Sequence, residues 1–162
     1  MWTNNAPACP LTQAQAEFWR RFLASSGMDA NTPCFEAFHF CTDERLANAL
    51  LELVLEGKKR ATTSSLAAWE AEERMPLPGQ LSIVTDFAGR PRCVIRTNRV
   101  TVLPFCEVDF ETCRREGEDD CLETWQEGHR KYLRLDAGEC GFEFSEDMNV
   151  VFEDFTMIYA ED

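Results

Sequence analysis

Within nine residues, Glu56 to Ser64, the chain gathers Gly57, three cations (Lys58, Lys59, Arg60) and three hydroxyls (Thr62, Thr63, Ser64). Such a set can do three kinds of chemistry. A neutral Lys can take the proton of a Thr hydroxyl and make it a nucleophile, whereas a charged Lys can stabilise an oxyanion or clamp an anion. A plainer reading is that Lys58 and Lys59 complement the dipole of a preceding helix, worth roughly 0.3–1 kcal/mol, and that the hydroxyls open a polar strand. A second cluster, Glu116-Gly117-Glu118-Asp119-Asp120, offers carboxylates for proton transfer, a divalent cation or the cap of the next helix. His39 and His129 are the only histidines. His129 shares a helical face with Leu122, Trp125 and Tyr132 and reads as a core histidine with one satisfied nitrogen. Cysteine and histidine spacings match no common zinc pattern, so no metal and no cofactor are expected. Trp69 reads either as a stacking surface for a base or as core.

Periodicity gives the elements that must position these groups. Thr12 with Gln15 forms a capping box ahead of Ala14, Phe18, Phe22 and Leu23, a first helix ending at Gly27. Phe35, Phe38 and Phe40 mark a short extended segment. After Thr42, an acidic first turn (Asp43, Glu44) opens a second helix with Leu46, Leu50, Leu53 and Val54 on one face and Gly57 as its left-handed cap. Residues 61–75 read as a turn followed by a short helix stopped at Pro76 and Pro78. The period then changes to two: Leu81 to Phe87 and Cys93 to Val102 form a hairpin around the turn Ala88 to Pro91. Val108 to Arg115 is a short helix, Asp119 and Asp120 are placed to cap another, and Met148 to Tyr159 is strongly β-forming. Interspersed helices and strands without an internal repeat indicate an α+β fold with a small mixed sheet or barrel.

Composition limits the partners. The 162 residues fill one sizeable core, and 16 Lys+Arg against 29 Asp+Glu leave a net charge of −13, which argues against coating long duplex nucleic acid. The charge is uneven, however. Gly57 to Trp69 and Phe87 to Cys106 together carry seven cations and no acid, two islands expected to converge on an anionic or carbonyl-bearing ligand, with Arg92, Arg96 and Arg99 supplying the second. The opposing reading is ordinary solvated faces. Met1 to Pro10 lacks the pattern of a signal peptide, no stretch is apolar enough to span a bilayer, and eight cysteines without CxxC fit reduced thiols in a cytoplasm.

Gly57, Lys59 and Thr62 match the Gly-x-Lys-x-x-Thr pattern of the ASCH-domain family, and the chain is similar to the larger bacterial members over roughly residues 35–159. The likeness extends to Trp69-Glu70, Pro78-Gly79-Gln80-Leu81, Pro104 to Val108, the 116–119 run with Leu122 and Trp125, and Phe144 to Met148. Arg60, where many members carry Thr, and Asn149, where Pro is common, depart from it. The resemblance implies a PUA-like fold, a small mixed β-barrel flanked by helices, with residues 1–30 as an N-terminal helical extension and 31–162 as the ASCH domain. It also implies a cleft beside the Gly-x-Lys-x-x-Thr turn, which the charge islands would make basic, for RNA or modified nucleosides, and members acting as hydrolases on N4-acylated cytidine, as a ribonuclease, or as noncatalytic binding modules. Carried over, the catalytic set becomes Lys59, Thr62 and Glu118; the residues' own chemistry, apart from the resemblance, puts Lys58, Arg60, Ser64, Trp69, Arg92, Arg96 and Arg99 toward the ligand. Glu118 rather than Glu116 is the expected carboxylate, because it stands four positions before Leu122.

Overall fold

A computed structural model describes residues 9–162; the opening segment read for a leader thus lies mostly outside the described residues. Helix α1 (Gln13–Ser26) begins with the expected capping box, Thr12 accepting from the Gln15 amide and the Gln15 side chain accepting from the Thr12 amide. Its buried face, Phe18, Trp19, Phe22 and Leu23, packs against Leu81, Ile83 and Val94 of the sheet. The first helix therefore shares a core with the strands that follow.

The sheet contains β1 (Ala37–Phe38), β2 (Ala61–Ser65), β3 (Leu81–Thr85), β4 (Pro91–Pro104) and β5 (Asn149–Ala160), in the order β1-β3-β4-β5-β2. Only β1 with β3 is parallel. The sheet does not close into the expected barrel: β1 and β2 are its two edges and do not pair. Side-chain alternation explains why β3 is buried throughout. Ile83 and Val94 point into the cluster under α1, whereas Val84, Cys93 and Ile95 point into a second cluster with Leu50, Leu51 and Val54 of α2 (Glu44–Leu55). Two helices thus cover opposite faces, and strands covered on both faces read as continuous apolar runs.

Three local expectations change. Residues 61–65 are a strand rather than a turn, because the half-buried alternation of Ala61 to Ser65 pairs antiparallel with Val150 to Asp154. The short helix α3 (Leu66–Ala71) follows, capped by Ser65. Asp43 is the cap of helix α2, its carboxylate accepting from the Leu46 amide, rather than part of the first turn. Helix α5 (Leu122–Cys140) starts at Cys121 with no side-chain cap, which leaves Asp119 and Asp120 for other contacts. Between β4 and α5 lie two single turns, Phe105–Glu107 and Arg114–Glu116, around the short helix α4 (Phe110–Cys113). Phe105, Val108, Cys113, Trp125, Leu133 and Val150 make the third core cluster. Among the described residues no helix is long and apolar enough to cross a membrane.

Candidate functional site

The end of α2 positions the central lysine. Gly57 adopts a φ of 76°, its amide donates to Val54 O at 3.0 Å and the Lys58 amide to Leu53 O at 2.9 Å. This is the Schellman arrangement, in which a left-handed glycine satisfies the last carbonyls and turns the chain away from the helix axis. Lys59 leaves this turn pointing inward and is 2% exposed. Its Nζ donates to Ala61 O at 2.8 Å, to Glu118 Oε2 at 2.7 Å and, at the long distance of 3.4 Å, to Glu116 Oε1. Three donors meeting three acceptors is the pattern of an ammonium, and the Phe40 ring, 5.0 Å from Nζ, adds a cation–π contact.

The two carboxylates arrive on one tight loop. Gly117, at a φ of 71°, lies so close to the Lys58 carbonyl that an added Cβ would sit 2.3 Å from its oxygen; only glycine lets the 116–118 segment pass there. Glu116 Oε2 accepts from Thr63 Oγ1 at 3.0 Å and from the Trp125 indole N–H, and faces His129 Nε2 at 3.3 Å. Burial pushes the Glu116 carboxyl up, but the charges of Lys59 and His129 and the hydrogen bonds from His129 and Trp125 outweigh it and hold the group well below the usual carboxylate range. Glu118 is the opposite case. Burial is the largest influence and Glu116 adds to it, so that its carboxyl is raised despite Lys59. Burial pulls the His129 imidazole down, yet Glu116 and Glu118 overcome this and raise it.

These groups line a cleft of about 600 Å³, the size range of small-molecule sites. Phe38, Phe40, Leu46, Leu50 and Leu53 form an apolar wall, and Thr62, Thr63 and Ser64 come from the edge strand β2. Trp69 of α3 lines it as well; its Nε1 donates to Ser64 Oγ at 2.7 Å and its ring stacks on Phe35 with centroids 5.9 Å apart. Lys59, Thr62, Ser64, Trp69 and Glu118 therefore meet in one place.

The cationic expectation fails. Lys58 is exposed and paired with Glu56, and neither it nor the exposed Arg60 lines the cleft. Arg92 reaches Glu52 at 3.8 Å, Arg96 lies along the surface beside Asn98, and Arg99 pairs with Asp154. None of the three lines the cleft, because each side chain is directed to a partner outside it. Against Lys59 and His129 the cleft sets seven carboxylates, Glu116, Glu118 and Asp119 beside α5, Asp136 on it, and Glu36, Glu72 and Glu153 around α3 and β5. It is acidic, not basic.

Sequence reasoning missed the roles of Glu116, His129 and Trp125. His129 is no core histidine: its Nδ1 contacts Trp125 O at 2.9 Å, its ring stacks on the Trp125 indole at 4.2 Å, and it lines the cleft. The i, i+4 spacing of Trp125 and His129 was the available signal. Glu116, Glu118 and His129 offer ligand atoms within 4.8 Å of one another, a set that could hold a metal ion. Lys59 Nζ already contacts both carboxylates, a built-in cation where a metal would neutralise them.

Comparison with known proteins agrees with this architecture. No curated protein matches the chain. A crystal structure of an ASCH domain from Lactobacillus crispatus JV V101 superposes with a TM-score of 0.85 at 34% identity, covering 92% of this chain and 96% of that one. A protein from Enterococcus faecalis V583 does so with a TM-score of 0.79 at 30% identity, covering 88% and 86%. The family model of the ASCH domain matches residues 36–159, and with the PUA-like fold built here the chain belongs to the ASCH domain family.

Proposed function

We propose that this protein hydrolyses an N-acyl bond on a nucleoside-sized substrate of the N4-acylcytidine kind, with Thr62 as nucleophile. The observation that carries this reading is a pair of neighbouring carboxylates, Glu116 and Glu118, whose environments push them in opposite directions around one buried lysine. Such divergence separates a permanent anion from a group that takes up and releases a proton more readily. Glu116, anchored by Trp125, Thr63 and His129, is the permanent anion. Glu118, with a side chain 18% exposed against 2% for Glu116, is the proton carrier.

In this scheme Thr62 Oγ1 adds to the acyl carbonyl carbon while its proton passes to Glu118. The oxyanion that develops takes the place of the long Glu116 contact at Lys59, so the lysine acts as an electrostatic stabiliser. Glu118 then protonates the leaving amine, and water cleaves the acyl-threonine ester by the reverse use of the same groups. The expectation of Lys59 as the base requires Nζ to give up a proton while touching two carboxylates, which its contacts oppose. RNA binding without catalysis is the coarser reading supported by the PUA-like fold alone; Arg60, Arg96 and Arg99, outside the cleft, would serve it. The test is incubation of the purified chain with N4-acetylcytidine, following release of cytidine by chromatography. Turnover lost in Thr62→Ala, which melts like the parent, and in Lys59→Ala, which leaves two carboxylates without their cation and melts lower but cooperatively, supports the reading; no turnover by the parent, with binding of short single-stranded RNA, replaces it with the module.

A further inference from the structure

Five acidic residues of the cleft take no part in the scheme above, and three of them, Glu36, Glu72 and Glu153, lie around α3 and β5. Glu153 stands on β5 directly across from Thr62 of β2, so the two side chains share a face. Its Oε1 accepts from Thr97 Oγ1 at 2.5 Å, which fixes the carboxyl group. Glu36, just before β1, lines the same cleft with Glu72, and the Glu153 charge acts on it. Beneath them, Arg74 is 7% exposed; its Nη2 donates to Phe35 O at 2.7 Å, but Nε and Nη1 have no hydrogen-bond partner. Nη1 points at Glu36 and Glu72, 3.7 Å from each, too far for a hydrogen bond. Buried donors left open beside the half-buried Glu36 mark a polar site with fewer contacts than its groups can make.

The same corner holds an aromatic stack. Arg74 lies 4.3 Å from the Phe35 ring centre, and Phe35 backs Trp69, whose remaining surface lines the cleft. A flat platform held from behind, with fixed carboxyl groups at its rim, suits a planar heteroaromatic ring that turns an N–H donor and a ring nitrogen toward those carboxyls.

Resting on the hydrolase reading of this cleft, we propose that Trp69, Glu153 and Glu36 form the base-reading subsite, Glu153 accepting from an exocyclic amino group and Glu36 donating to the adjacent ring nitrogen of an aminopyrimidine. Because Glu153 is the cross-strand partner of Thr62, a ring so held carries the substituent of its amino nitrogen beside the nucleophile. Burial, with the Glu153 charge added and Arg74 opposing, lifts the Glu36 carboxyl to about 7, which supplies the proton for that donation near neutrality. Burial likewise lifts Glu153, against its hydrogen bond from Thr97. Uridine, with an oxygen where cytidine has the amino group, would set two acceptors against each other at Glu153.

The experiment is calorimetric titration of Thr62→Ala with cytidine and with uridine, which needs no turnover. Cytidine binding at least tenfold tighter than uridine at pH 7, with the ratio falling below threefold in Thr62→Ala/Glu153→Gln, is the expected result. A ratio below threefold in Thr62→Ala itself, or no binding of either nucleoside, overturns the subsite. So does a ratio that survives both Glu153→Gln and Glu36→Gln in variants that melt like Thr62→Ala. Discrimination with no hydrolysis by the parent sinks the hydrolase reading alone; hydrolysis without discrimination sinks this one alone.

Discussion

Lys59 is held between two carboxylates that the protein treats differently, and the difference can be read out by removing each. Glu118→Gln keeps shape and hydrogen bonding but cannot carry a proton, so turnover on an N4-acylcytidine should fall about 10²- to 10⁴-fold with melting nearly unchanged. Glu116→Gln removes one partner of a buried ion pair that also serves Trp125, Thr63 and His129, and should cost about 3–5 kcal/mol of stability by denaturant unfolding. Equal stability of the two variants would contradict the division of labour. The same network sets a pH window. Glu116 is lowered on folding, so its contribution is present above the ordinary carboxyl range and lost as pH falls. His129 is raised, so its contribution is full below about 6.5, the ordinary imidazole value, and lost as pH rises through the folded value. The raised carboxyls Glu36, Glu118 and Glu153 lower the melting temperature as pH rises above about 4.5, the ordinary Glu value; His129 adds a further decline from about pH 6.5 upward, and His129→Gln should flatten that added part alone. The motif made Lys59 and Thr62 legible in sequence. Glu116 and His129 were not, because a residue 57 positions from Lys59 and another 13 beyond it become partners only once α5 packs against β2.

Element ends, rather than element middles, place the chemistry. The glycine cap of α2 was readable, since an apolar helical stripe running into Gly57 leaves few other conformations; that it turns Lys59 inward was not. Strand β2 was not readable. Five small or hydroxylated residues carry little strand signal by themselves, and their conformation is imposed by the β5 ladder. Two glycines separate these influences experimentally. Gly57→Ala meets nothing within 4 Å and should lose only the roughly 1–2 kcal/mol of a left-handed nonglycine residue. Gly117→Ala has a similar φ but drives a Cβ into the Lys58 carbonyl. It should cost more than Gly57→Ala in melting and, by moving Glu116 and Glu118 off Lys59, remove most turnover as well. A Gly117→Ala variant with parental activity would mean that the loop is not tuned to the site.

At the scale of the whole molecule, the surplus of acid reaches into the cleft itself. Composition made the net charge legible, and the acid-free stretches of sequence suggested a basic pocket. The folded chain decides otherwise, because Arg92, Arg96 and Arg99 point to partners outside the cleft while a strand, loops and helices from five parts of the chain bring carboxylates to it. Charge counted along a chain does not give charge counted around a cavity. A ligand that carries its own negative charge meets an unfavourable potential there, whereas a neutral nucleoside does not. Cytidine should accordingly bind more tightly than cytidine 5′-monophosphate in dilute buffer. Added salt shortens the Debye length from about 30 Å at 0.01 M to about 10 Å at 0.1 M, so it should strengthen monophosphate binding and leave cytidine nearly unchanged, narrowing the gap. A phosphate clamp predicts the reverse, with affinity falling as salt is raised. Titration of both ligands at the two ionic strengths distinguishes the cases, and a monophosphate that binds more tightly than cytidine and weakens with salt would return the cleft to the phosphate-binding class.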